Sequence, residues 1–305
     1  MIAWEYKTKE ESLYAGRDPA ILGNALWPDH IIEVEPTGSS GGTIVWEWHV
    51  WDHLVQDYDP SKENFGVVQD HPELIDLNYG SRQQDWNHIN SIDYNEELDQ
   101  ILLSVHEFNE IWVIDHSTTT AEAAGHSGGN SGRGGDLLYR WGNPEAYKRG
   151  SSAEKKLFGQ HGACWVEPGC PGEGNILVFN NGQERRYSSV EEIVPPLNST
   201  NSYTYTPGSA YGPEEPVWVF TTDPPTEMFS TLLSNVQRLP NGNTLICSAQ
   251  QGLFLEVSPD KTIVWKYKNI LPSPFANAVA RIYRYPPGHP GSEAITSKQL
   301  DSSVS

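Results

Sequence analysis

The chain has 305 residues, with 40 acidic against 20 basic and a formal net charge of −20. That charge opposes a nucleic-acid phosphate backbone as partner, and no apolar run reaches membrane-spanning length. The 11 Trp and 14 Tyr, beside 27 Gly and 22 Pro, suit many short strands joined by tight turns.

Taken in chain order, the strands predict repeats of one plan. Met1-Ile-Ala-Trp4 reads as the second strand of a copy, and Thr43-Ile-Val-Trp-Glu-Trp48 ends that copy. Residues 51–85, rich in Asp, Gln and Asn, interrupt the plan and are expected to cover one end of the assembly. A second copy runs through His88–Tyr94, Gln100–His106, Glu110–Asp115 and Asp136–Trp141, broken by a flexible Gly/Ser-rich loop over 117–135. That loop lacks the Lys-Ser/Thr and the strand-to-helix context of a phosphate loop. A third copy follows at Gln160–Trp165, Asn175–Asn180, Glu191–Val194 and Pro216–Phe220. The fourth is the clearest: Arg238 to Ser248 spans an Asn-Gly turn, and Gly252 to Tyr267 spans a Pro-Asp turn. Its last strand, Thr262-Ile-Val-Trp-Lys-Tyr267, matches Thr43–Trp48 nearly residue for residue.

Four antiparallel strands in about 40 residues is the size of one propeller blade. The expected fold is therefore all-β, a β-propeller domain over residues 1–290 with about four repeats. Ala280–Tyr285 is expected to be a further strand that closes the ring, and 291–305 a polar, disordered tail. The start of Met1–Trp4 within a repeat suggests a propeller cut at its N-terminus, missing one or two blades and with little activity. No basic and apolar leader pattern is visible in the first residues, Met1-Ile-Ala-Trp-Glu-Tyr6.

Of three cysteines, Cys164 and Cys170 lie close enough in sequence to pair or to remain thiols, and Cys247 reads as a small buried hydrophobe. No CxxC pair suggests a structural zinc.

In a propeller the innermost strands line a central funnel. Polar residues at matching repeat positions converge there: His88 and Asn90, His161, Asn235 and Gln237, then Asn277 and Arg281, with His106 ending the strand beside His88. His30, His116, His126 and His289 fall in or beside loops and read as solvated, while His49 and His53 sit in an aromatic-rich stretch near the funnel edge. Converging histidines serve either metal ligation or group transfer. No carboxylate has a diagnostic spacing, Asp85 and Asp93 included, so no metal and no cofactor is assigned.

Asp85-Trp-Asn-His-Ile-Asn-Ser-Ile-Asp-Tyr94 with Ile101–His106, and Gly159-Gln-His-Gly-Ala163 leading to Gly174–Gly182, resemble the bacterial arylsulfate sulfotransferases. The resemblance implies a six-bladed propeller that moves a sulfuryl group from a phenolic sulfate ester to a phenol, by a ping-pong route without a nucleotide donor. It implies His161 as the transiently sulfated nucleophile. His88 and His106 would be its acid–base and anion-holding partners, and Asn90, Asn235, Arg281 and Trp86 would contact substrate. The family's Arg near position 105 or 106 has no counterpart here, which leaves sulfate to His106, to Arg281 or to no residue. The resemblance further implies small-molecule partners and export to the periplasm or beyond. The competing expectations are a non-catalytic propeller module and a metal-dependent propeller hydrolase.

Overall fold

The computed structural model describes residues 1–80, 83–273, 276–285, 288–289 and 292. It is all-β, built mostly of antiparallel sheets met in chain order, with one short parallel pair, Leu54–Val55 with Ile75–Asp76. The first has three strands, β1 (Ile2–Trp4), β2 (Asp29–Thr37) and β3 (Gly41–His49). The next three have four each and follow the predicted plan. They are β4 (Ile89–Asn95) to β7 (Tyr139–Trp141), with β5 (Gln100–Val105) and β6 (Glu110–Asp115); β8 (His161–Trp165) to β11 (Trp218–Phe220), with β9 (Ile176–Asn180) and β10 (Ser189–Ile193); and β12 (Asn235–Arg238) to β15 (Ile263–Lys268), with β13 (Thr244–Ser248) and β14 (Leu253–Val257).

Sheet-on-sheet packing explains which strands lose their polar face. β5 and β6 are buried at every residue, because each lies between neighbouring sheets on both sides. β9 divides its side chains by the two-residue period of a strand. Ile176 and Val178 join the core shared with the first two sheets, while Leu177 and Phe179 join a second core with β13 and β14. The first strand of each four-stranded sheet packs on the first strand of the next, with β8 against both β4 and β12. Side chains stitch these inner strands: Ser91 Oγ donates to the Ala163 carbonyl and Cys164 Sγ to that of Val236.

The insertion at 51–85 carries much of the buried wall, with Leu54, Ile75, Leu77 and neighbouring Trp86 all in the main core. A fully buried ion pair ties it down. Arg140 on β7 bonds Glu110 on β6 at 2.5 and 3.0 Å and donates to the Leu74 carbonyl at 2.9 Å.

Two expectations need correction. The 117–135 segment is not a loose loop: it holds a capped helical turn, Thr120–Ala123, and Asp115 accepts from Ser117 and from the Ser131 backbone N–H. Ala280–Tyr285 forms no strand. It runs beside β12 and is held by side-chain amides: Asn235 pairs with both backbone groups of Ile282 (2.8 and 2.9 Å), and Gln237 with both of Arg284 (3.1 and 2.8 Å). A side-chain amide carries the same donor and acceptor as a peptide group, so it substitutes for a strand partner. Apart from Ser292, the predicted tail lies outside the described residues.

Candidate active site

His161 opens β8, and Gly162 behind it has φ +62. A Cβ at Gly162 would stand 2.8 Å from the Ser234 carbonyl oxygen and 2.9 Å from the Asn235 Cα, so this glycine lets β8 approach β12. His161 is 7% exposed. Its Nδ1 faces two oxygens, the Gly159 carbonyl at 3.1 Å and Asn181 Oδ1 at 3.0 Å. The Asn181 amide is oriented by its other end, where Nδ2 donates to the carbonyls of Ser230 (2.7 Å) and Leu233 (3.2 Å). Two acceptors at Nδ1 require a hydrogen there, which leaves Nε2 with the lone pair. Burial, reinforced by the neighbouring His106, pushes the His161 pKa down to about 4. At neutral pH this imidazole is an uncharged base with its tautomer fixed.

His106 stands between the other two histidines. Its ring centroid is 5.3 Å from that of His161 and 5.3 Å from that of His88, edge to face in both cases. Gln183 sets its orientation. The Gln183 Nε2 donates to the Thr231 carbonyl (2.7 Å) and faces His106 Nε2 (3.3 Å), so that nitrogen accepts and His106 Nδ1 donates to Glu107 (2.7 Å).

His88 has φ +50, a left-handed conformation that histidine tolerates better than most residues. Two bonds hold it: Nδ1 to Asp85 at 2.5 Å, and the His106 backbone N–H to the His88 carbonyl at 3.2 Å. The Asp85 hydrogen bond raises the His88 pKa against the opposing pull of partial burial. Below it lies Asp29, whose Oδ2 accepts from the Ile89 N–H at 2.7 Å and whose pKa burial pushes up to about 7. One row of imidazoles thus has opposite ends. His161 is held unprotonated, and His88 is biased toward the proton.

Asn90 and Arg281 flank the row. Asn90 Nδ2 donates to the Gln160 carbonyl (2.8 Å), next to His161, while its Oδ1 is buried with no hydrogen-bond partner among the described residues. Arg281 reaches across from the C-terminal segment to the Asn90 carbonyl at 2.7 Å. It also lines a small cavity with Gly162 and Ala163 at the start of β8.

A sequence profile of the family described as Arylsulfotransferase (ASST) matches residues 22–272. The chain belongs to the arylsulfotransferase family. No curated protein matches it. Among solved structures it is similar to a Bacteroides caccae protein of unknown function (15% identity, TM-score 0.34, 79% of this chain and 58% of that one). It is also similar to a streptogramin B lyase (15%, TM-score 0.32, 63% and 43%) and to the β-propeller domain of Cps50 (Swd1) from Myceliophteria thermophila (10%, TM-score 0.40, 80% and 58%). The chain thus spans about half the length of the structures it resembles.

Two of the residues expected at substrate are occupied elsewhere in this member of the family. Asn235 has its amide committed to Ile282, as described above. Trp86 is 1% exposed, packs on Phe108 and donates its indole N–H to the Tyr79 carbonyl at 3.0 Å, so it presents no free ring face. Sequence reasoning passed over Asn181, Gln183 and Asp29. Asn181 was findable, since it follows the second strand of the third copy as His106 follows the second strand of the second. Asp29 carries no such signal, as only the fold brings Pro28-Asp29 beneath His88.

Proposed function

We propose that the protein is an aryl sulfotransferase that works on a β-propeller scaffold through a sulfated His161. The observation that carries the proposal is the state of His161: uncharged, tautomer fixed by Gly159 and Asn181, with its Nε2 lone pair uncommitted among the described residues.

In the first half-reaction, His161 Nε2 attacks the sulfur of an aryl sulfate. The N–S bond forms as the S–O bond to the aryl group breaks. The electron pair leaves on the phenolic oxygen, which takes the proton held by His88. The sulfated imidazole is then cationic, and its Nδ1–H is already directed at two oxygens that stabilise that charge. In the second half-reaction, neutral His88 accepts the proton of an acceptor phenol, whose oxygen attacks sulfur, and His161 departs as neutral imidazole. Arg281 and the remaining N–H of Asn90 Nδ2 would hold the sulfonate oxygens. No nucleotide enters this scheme. Among the described residues no helix is long and apolar enough to cross a membrane, and the family resemblance supports an exported protein.

Incubation with a chromogenic aryl sulfate, with and without a phenol acceptor, tests this. Acceptor-dependent release of phenolate, abolished in His161→Gln and unaffected by a chelator, is expected. Release that survives His161→Gln, or that does not depend on the acceptor, would overturn the assignment.

A further inference from the structure

Away from the three-histidine row, a second group of side chains converges under the Gly/Ser-rich segment. Among the described residues, His53, His126 and Asp136 are the His, Cys, Asp and Glu side chains whose ligand atoms gather within 4.8 Å of one another. Both imidazoles turn Nδ1 to one carboxylate oxygen: Asp136 Oδ1 lies 2.9 Å from His53 Nδ1 and 2.7 Å from His126 Nδ1. The two rings stand edge to face, 5.8 Å apart.

Three features distinguish this group from an ordinary surface ion pair. His53 is fully buried and stacks on Trp48 at 5.5 Å, so its ring cannot swing away. Its other nitrogen, Nε2, is 2.8 Å from the Ala123 carbonyl oxygen, the outer bond that fixes the ring orientation of a ligating histidine. Gly135 leaves room for it, since a Cβ there would sit 2.6 Å from His53 Nε2 and 2.0 Å from the Ala123 oxygen. His126, in contrast, is 61% exposed and lines a cavity of 720 Å³ beside Leu54 and Val55. Water can therefore complete the coordination from that side.

We propose that His53 Nδ1, His126 Nδ1 and Asp136 Oδ1 bind a divalent transition metal of the zinc class. Two imidazoles and one carboxylate suit such an ion and not calcium or magnesium, which prefer all-oxygen shells. Tetrahedral bonds of ~2.05 Å place ligand atoms about 3.4 Å apart. The two nitrogens need only retreat by roughly half an ångström from the carboxylate, and the exposed ring of His126 is free to do so. The ion would replace the two protons now shared there and would clamp residues 125–136 to the wall that carries His53.

The test is equilibrium dialysis of the chelator-stripped protein against zinc chloride, with cobalt(II) absorption as a coordination readout. One zinc per chain is expected, with visible cobalt bands and a zinc-dependent rise in Tm. His126→Ala removes an exposed side chain without disturbing the core. It should weaken zinc binding at least tenfold and abolish the bands, as should Asp136→Asn. His161→Gln, at the other site, should keep both. Absence of stoichiometric zinc binding, or binding unchanged in His126→Ala and Asp136→Asn, would overturn the proposal. Loss in His161→Gln alone would do the same, since it would place the ion at the three-histidine row.

Discussion

The buried, uncharged state of His161 has a consequence for stability that is independent of turnover. Lowering a histidine from the ordinary 6.5 to about 4 means that the folded protein disfavours the imidazolium by ~3 kcal/mol, at about 1.36 kcal/mol per pH unit. The unfolded chain binds this proton below about 6.5, whereas the folded one does not bind it until about 4. Between those values the unfolded state therefore carries more protons, and stability falls as pH falls. The full contribution is present above pH 6.5 and is lost through the window down to about 4. Against a total of roughly 5–15 kcal/mol for a typical domain, this is a large fraction. His161→Gln removes the titration. Its lost bond to Asn181 adds a constant offset, and the raised carboxyls of Asp29 and Asp93 titrate in both proteins and cancel in the comparison. Urea unfolding of wild type and variant at a series of pH values should show wild type losing ~3 kcal/mol more than the variant between about pH 7 and pH 4. Stabilities that run parallel over that range would refute the assignment of a neutral, desolvated His161.

Other consequences are open to measurement. Asp85→Asn removes the carboxylate that raises the His88 pKa, so the alkaline limb of the kcat/KM profile should move to lower pH; an unmoved limb would remove His88 as the proton donor. Glu110→Gln unpairs the fully buried Arg140 and should lower unfolding stability by ~3–5 kcal/mol in urea titrations. The thiols of Cys164 and Cys170 each contact a backbone carbonyl, those of Val236 and Arg238, and all three cysteines are free, with burial raising the pKa of each. A thiol reagent should titrate three groups after unfolding without reductant and few in the native protein; a single titrating group would mean a disulfide.

Much of the strand plan was legible because turn chemistry and strand period act locally. Asn-Gly and Pro-Asp turns set the hairpins of the fourth copy, and the apolar runs of β5, β6 and β9 mark strands buried on both faces. The convergence of His88 and His161 was legible for the same reason, since matching repeat positions fall on inner strand ends, and His106 follows the strand paired with that of His88. Long-range pairing was not. Nothing local says that Asn235 and Gln237 spend their amides on Ile282 and Arg284, so a strand was expected where side chains do the pairing. Trp86 looked available because a sequence does not show which face of an aromatic ring the 51–85 insertion will cover. His126 and His53 were set apart as a solvated and a funnel-edge residue, and only the return of Asp136 to the same point brings them together.

The central claim is that sulfur passes through His161 Nε2. Reaction with an aryl sulfate in the absence of acceptor, quenched at alkaline pH and followed by peptide mass spectrometry, tests it most directly. One sulfuryl (SO3) group on the peptide that carries His161, discharged when a phenol is added, is the predicted result. Acceptor-dependent sulfate transfer with no such adduct, or an adduct on His88 or His106 instead, would contradict it.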